Sequence, residues 1–370
     1  MLRAGERVTD TALSLHGAAA ADASTGAPRA AFLPHVHRLR ALAMLLVVGA
    51  HCWPEFGWDA VATSRLLLVF DNVTVVFVAI SGLLFHHLSA RFSYPRYLRH
   101  RAATVLLPYA VVSIPAIAAA VFWRHREDVW PWLYQLPKWE EALVFLATGK
   151  HLAPLWFIPV MALFILAAPA ILWIERRGLL PVVLPPLLVF AVMVGRDWMG
   201  GPLNMVGKAV FFLPAYLAGM AWSRHRAEAE RWAAAHWRLL PAAFLLLSGA
   251  MAWQVAGWDW AILQKLTAAA LLMAALKGAS FPPMVEAASQ RLAAWSFAVY
   301  FVHGYVITAL RIGWEGAGLP RPMGAPDGVI FPPSLPLLLL DVALVVAVSM
   351  AIVGVVKRLT GRWSRYLIGA

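Results

Sequence analysis

Charged residues are scarce in this chain, and acidic residues are the scarcest of them. Only 14% of its 370 residues are Asp, Glu, Lys or Arg, and 61% are hydrophobic, whereas soluble domains carry about 25% charged and about 45–50% apolar residues. This composition excludes a water-soluble globule. It also excludes a disordered chain, because disorder requires low hydrophobicity.

Cysteine is nearly absent. Cys52 is the single cysteine of the chain, so an intrachain disulfide and any centre built from several cysteines are excluded. We expect Cys52 to be a small buried apolar residue, and the sequence predicts no metal site.

Long apolar runs dominate what the sequence does contain. A transmembrane helix needs about 20 mostly apolar residues, and ten stretches approach this length. They lie at about 39–58, 66–88, 103–123, 155–174, 179–195, 208–222, 239–257, 260–277, 293–312 and 335–356. The sequence therefore predicts an all-α membrane protein, a polytopic bundle of about ten transmembrane helices.

The basic residues predict the orientation of this bundle. Ten crossings place both termini on one side, and most of the 31 Lys and Arg residues then fall on that side. Because cytoplasmic loops carry the excess of Lys and Arg, we expect both termini in the cytoplasm and a multi-pass protein of the cell inner (plasma) membrane. This distribution accounts for the net charge of +12 without a nucleic-acid partner.

Residues 1–37 differ from the rest of the chain. They are rich in Ala, Gly, Thr and Ser and have no apolar core of the signal-peptide type. We predict a flexible cytoplasmic N-terminal tail over 1–37, followed by a transmembrane domain over 38–370.

The first predicted span contains two ionisable residues. Arg40 stands at its start and His51 follows eleven residues later (51 − 40), so the two side chains share one helix face about 16 Å apart along the axis. Ionisable residues inside spans are functional hypotheses, and histidine is the usual general base near neutral pH. A histidine hydrogen-bonded between helices is the alternative interpretation.

The second span carries polar residues at both ends. Asp71 and Asn72 lie at its predicted outer end, and Ser81 and Gly82 lie nearer its inner end. A carboxylate at Asp71 could orient His51, or it could cap a helix. The small Ser-Gly pair indicates close helix packing or a gap that admits a ligand.

Cationic residues cluster between the second and third spans. Arg91, Arg96, Arg99 and Arg101 stand close together there. They suit contact with anionic lipid, or a phosphate-bearing ligand, because guanidinium pairs with phosphate bidentately.

Taken together, these pieces resemble the acyltransferase-3 family of integral membrane proteins, which O-acylate surface glycans and related acceptors. The resemblance covers about 36–370. It is carried by Arg40 with His51, Ile80 to Gly82, Arg101 to Tyr109, the LWFIP segment around Trp156, Ser296 to His303, and the ending WSRYLIG. One departure is that Thr104 occupies the second position of the R-x-x-R pair that the family commonly has before its proline.

The resemblance implies an O-acyltransferase (O-acetyltransferase) that modifies polysaccharide of the cell envelope. It would move an acyl group, acetyl being the expected one, from cytoplasmic acetyl-CoA or another acyl-CoA to a hydroxyl of an extracytoplasmic glycan or lipid-linked sugar. His51 would be the general base, with Arg40 beside it in the catalytic set. The donor would lie near Arg101, Arg99 and Arg96.

Other residues complete the predicted site. Ser81, Asn72 and Tyr300 are candidates for stabilising the oxyanion, and His303, Asp71 and Trp156 for binding or orienting the substrate. The expected partners are membrane lipid, the acyl-CoA and the acceptor, and the sequence is compatible with an oligomer.

Two alternatives remain open from the residues. Ten spans also suit a transporter or flippase for a glycan or lipid intermediate, although the inverted repeats typical of that class are not seen. An unrelated membrane-bound acyltransferase would carry its histidine late in the chain, where His303 stands.

Overall fold

The computed structural model describes residues 32–318 and 329–370, and these ranges are helical, without a strand. Most of the predicted tail, residues 1–31, lies outside the described residues; helix α1 begins at Pro34. In chain order the helices are α1 (Pro34–Cys52), α2 (Ala60–Phe70), α3 (Thr74–His87), α4 (Tyr94–Arg101), α5 (Leu107–Phe122), α6 (Lys138–Thr148), α7 (Phe157–Arg176), α8 (Leu180–Val194), α9 (Asn204–Arg224), α10 (Arg226–Ala235), α11 (Leu239–Ala252), α12 (Ala261–Gly278), α13 (Pro283–Gly316), α14 (Leu335–Thr360) and α15 (Ser364–Leu367).

Every predicted span overlaps at least one helix. Seven helical segments within the described ranges are long and apolar enough to cross a membrane, which supports a multi-pass membrane protein. Two further predicted spans correspond to the shorter apolar helices α8 and α11, and the first corresponds to α1. The full count of ten and the cytoplasmic termini stay predictions.

The second and third predicted spans are each interrupted. The second divides into α2 and α3 at Asn72, which adopts φ +51°, a left-handed conformation that asparagine tolerates better than most residues. In the third, Ala102–Leu106 form a π-helical turn in which the Leu107 amide donates to the Ala102 carbonyl. Because Pro108 has no N–H to offer the preceding turn, the regular α pattern is already weakened there.

Helices α3 and α9 meet backbone to backbone. A Cβ on Gly82 would lie 1.9 Å from the Tyr216 carbonyl oxygen, and one on Gly219 would lie 1.9 Å from the Ala79 carbonyl oxygen. Glycine is therefore required at both positions, and the close packing predicted for the Ser-Gly pair is confirmed. The contact fixes the face of α3 that carries Ser81.

The connection between α6 and α7 is buried among the helices. His151 is 3% exposed, and its ring nitrogens lie 3.0 Å from the Phe145 carbonyl oxygen and 2.8 Å from the Ser113 hydroxyl. Pro154 packs on α13 so closely that a Cβ on Gly304 would lie 2.9 Å from its Cδ. This segment is therefore anchored between α5 and α13.

Candidate functional site

One end of the bundle encloses a cavity of about 240 Å³. Its walls come from α1, α3, α4, α7, α9, α13, the π-helical turn and the segment that follows α14. Much of the lining is apolar, including Phe77, Ile80, Phe85, Met161 and Phe297. Such walls suit an apolar ligand portion.

Among the described residues, every charged side chain that lines the cavity is basic. Guanidinium groups come from Arg40, Arg101 and Arg365. Imidazoles come from His37, His87 and His100, and no Asp or Glu is among the lining residues. Three chain segments that are far apart in sequence therefore direct positive charge to one cavity.

These three guanidinium groups lack carboxylate partners within the described part of the chain. Arg40 and Arg101 are close enough to repel each other, and the Tyr97 ring lies 5.4 Å from Arg101. By contrast Arg38, two residues before Arg40 on the same helix, forms an ion pair with Glu286 at 3.0 Å. Unpaired like charges in a poorly solvated site are costly, so an anion would be stabilised there.

His51 lies near the end of α1, next to a second histidine. Its ring centroid is 5.4 Å from that of His303, which is fully buried on α13. The Nδ1 of His303 donates to the Tyr300 carbonyl oxygen at 2.8 Å, so Nε2 carries the lone pair. Among the described residues this Nε2 has no hydrogen-bond partner.

The cavity does not extend to His51. Phe297, Tyr300 and His303 stand three residues apart on one stripe of α13, and only Phe297 of these lines the cavity. Phe157, another cavity residue, packs edge-on against Tyr300 with centroids 5.8 Å apart, and Tyr300 is 5.7 Å from His303. Phe157, Tyr300 and His303 therefore form a series of ring contacts that runs from the cavity lining to His51.

The hydroxyls proposed for oxyanion stabilisation are engaged elsewhere. Ser81 lines the cavity, but its hydroxyl donates to the Phe77 carbonyl oxygen at 2.8 Å. The Tyr300 hydroxyl donates to the Pro154 carbonyl oxygen. Either group would have to exchange partners before it could stabilise an oxyanion.

Asp71 and Asn72 belong to a different polar cluster. Arg196, between α8 and α9, donates to the Asn72 side-chain oxygen at 3.0 Å and lies 3.6 Å from the Asp71 carboxylate. The Asn72 amide in turn donates to Asp259 at 3.1 Å. The charged partner of Asp71 is thus Arg196, and the ring beside His51 is that of His303, which does not support an orienting role for Asp71.

Trp156 contacts Lys208, which pairs with Asp197, the residue that follows Arg196 in the chain. The Lys208 ammonium lies 4.4 Å from the Trp156 ring centroid and 3.2 Å from the Asp197 carboxylate. Phe212 stacks on Trp156 with centroids 5.9 Å apart. Both interactions occupy faces of the indole, which argues against an open stacking platform for a sugar.

The remaining predicted donor residues point away from the cavity. Arg96 and Arg99 are exposed and are not among its lining residues.

Cys52 is fully buried, as expected. In the described ranges no group of three or more His, Cys, Asp or Glu side chains could hold a metal ion.

Comparison with known families adds the decisive observation. The family model for the acyltransferase domain of the acyltransferase-3 type matches residues 35–355. The chain belongs to the acyltransferase-3 family. No curated protein and no solved structure matches it significantly. This acyltransferase-3 protein is therefore a membrane acyltransferase, and its candidate site combines the cationic cavity with the His51–His303 pair.

Sequence reasoning missed part of the cavity. Arg365 counted only toward membrane orientation, and His37 and His100 were not considered. The signal available for Arg365 was its place in the WSRYLIG ending. For the two histidines the available signal was their spacing from predicted site residues, because His37 stands three residues before Arg40 on α1 and His100 directly precedes Arg101.

Proposed function

We propose that this acyltransferase moves an acyl group, acetyl being the expected one, from acyl-CoA to a hydroxyl of an extracytoplasmic glycan or lipid-linked sugar. The observation that carries the proposal is that Arg40, Arg101 and Arg365 line one cavity with apolar walls and have no carboxylate partner among the described residues. Coenzyme A joins phosphate groups to a less polar arm that ends in the thioester. Guanidinium binds phosphate bidentately, and the apolar walls receive the arm.

The transfer itself needs a base, because a hydroxyl is a weak nucleophile near neutral pH. An imidazole nitrogen of His51 accepts the acceptor's proton as its oxygen bonds to the thioester carbonyl carbon. The carbon–sulfur bond then breaks, and the leaving thiolate takes this proton from the His51 imidazolium, which restores the neutral base. General-base catalysis of this kind contributes about 10²–10⁴-fold in rate.

His303 supports His51 in this proposal. Its Nε2 can only accept a hydrogen bond while Nδ1 donates to the backbone. The ring of His51, whose centroid lies 5.4 Å away, carries an N–H that can donate to it after a small movement. Such a contact would set the tautomer of His51 and leave its other nitrogen free to take a proton.

A side-chain movement is part of this proposed reaction. His51 is not among the described residues that line the cavity, and the rings of Phe157, Tyr300 and His303 contact one another in series toward it. The acyl end has to displace rings of this series to reach His51, and a route that opens only for the acyl end keeps the charged donor on its own side and shields the thioester from water.

The test is His51→Gln, with His225→Gln as the matched control. His225 is an exposed histidine paired with Glu228. O-acetyl groups on the envelope glycans of expressing cells are measured by mass spectrometry, together with the amount and thermal stability of the purified protein. We expect His51→Gln to lower acetylation at least 100-fold at unchanged stability, and His225→Gln to leave it unchanged. Full acetylation in His51→Gln would remove the base assignment.

A further inference from the structure

The segment that follows α14 forms one wall of the cationic cavity. Arg365, Gly369 and Ala370 all line it, and α15 packs against α5. The buried Ser364 hydroxyl lies 2.8 Å from the Gly361 carbonyl oxygen and 2.7 Å from the Ala370 oxygen. These contacts fold the segment back on itself, so Arg365 is presented from a constrained turn.

The same segment is fixed against α13. Gly369 has φ +75°, and a Cβ at this position would lie 2.8 Å from the Phe297 ring. A glycine is needed there both for the left-handed backbone and for the close approach. The turn that carries Arg365 is therefore built onto the cavity wall.

Arg365 adds to positive charge already present. Arg101 and Arg365 both lie close enough to His100 to act on it electrostatically, and Lys357 is also within reach of Arg365. Within the described ranges no carboxylate pairs with Arg365 at ion-pair distance. Holding these cations together is unfavourable unless an anion offsets the repulsion.

We propose, on the basis of the proposed function, that Arg365 binds a phosphate of the donor and makes the site selective for donors that carry several phosphates. Arg40, Arg101 and Arg365 reach the cavity from three separate chain segments, so it offers three guanidinium groups, each able to bind phosphate bidentately. A donor with spaced phosphates, as in coenzyme A, matches three guanidinium groups. A donor with one phosphate, such as phosphopantetheine, leaves at least one of them unused.

The experiment measures binding by calorimetric titration of the purified full-length protein in neutral nanodiscs. The probes are coenzyme A and phosphopantetheine. The variants are Arg365→Gln and Arg362→Gln, the latter an exposed arginine stacked on Trp363 and absent from the cavity lining. We expect Arg365→Gln to raise the Kd for coenzyme A about tenfold or more, because hydrogen bonds to charged groups are stronger than those between neutral groups. Phosphopantetheine binding should change less than about twofold, and Arg362→Gln should match the wild type.

The outcomes separate this inference from the proposed function. A wild-type protein that does not bind coenzyme A overturns the proposed donor. A wild-type protein that binds coenzyme A, with Arg365→Gln equal to Arg362→Gln, overturns the role of Arg365 alone. Equal weakening of both probes points to a structural role and also overturns it. An effect that appears only in phosphatidylglycerol nanodiscs assigns the phosphate to lipid and overturns it as well.

Discussion

Replacing Gly82 by Ala should force α3 and α9 apart. The new Cβ would lie 1.9 Å from the Tyr216 carbonyl oxygen, whereas ordinary contacts begin near 3.4 Å. The two backbones must therefore separate by about 1.5 Å (3.4 − 1.9), because a backbone oxygen cannot rotate away. Overpacking a tight interior costs about 1–3 kcal/mol and more when backbone must move, so we expect a loss of about 3 kcal/mol.

The assay is unfolding in mixed micelles titrated with SDS, followed by circular dichroism. Gly313→Ala in α13 is the control, because a Cβ there meets nothing within 4 Å and alanine favours helix by about 0.5–1 kcal/mol. Since Ser81 and Phe85 flank this contact and line the cavity, Gly82→Ala should also weaken coenzyme A binding. A Gly82→Ala protein as stable as Gly313→Ala would refute the argument from backbone contact.

Two further predictions concern a buried histidine and the cavity arginines. Burial lowers the pKa of His151 to about 4, so the unfolded chain, with a pKa of about 6.5, takes up the proton first. The contribution of His151 to the free energy of unfolding should therefore be complete above about pH 6.5 and fall as the pH drops toward 4, by about 2 kcal/mol at pH 5. SDS titrations at pH 7 and pH 5 measure this change. A His151→Gln variant that keeps the same pH dependence contradicts the prediction. Arg101→Gln should weaken coenzyme A binding about tenfold or more, whereas the exposed Arg99→Gln should leave it within about twofold; equal effects in calorimetry would count against the cavity as the donor site.

The helices could be predicted because the cause is local. Apolar runs of about 20 residues form helices in lipid, since every backbone N–H and C=O must be satisfied within the segment. The interruptions were not predicted. The left-handed Asn72 depends on Arg196 and Asp259 from other connections, and the π-helical turn before Pro108 is a local variation that hydropathy does not report.

Part of the candidate site could also be predicted from local spacing, and part could not. The spacing of Arg40 and His51 placed both on one face of α1, and Ser81 and Arg101 do line the cavity with Arg40. Asp71 was expected near His51, yet Arg196 is its charged neighbour. Pairing of this kind depends on which loops meet at the ends of the helices, and loop positions follow no period in the sequence.

Composition and helix periodicity by themselves determined a membrane-embedded helical protein with a cation and an imidazole on its opening helix, because both follow from contacts within a few residues. Only the tertiary structure decided which arginines have carboxylate partners and which face an unneutralised cavity, since the partners come from remote segments. It also decided that His303 adjoins His51 and that Phe157, a residue of the cavity lining, contacts Tyr300. Those relations are set by how α1, α7 and α13 pack.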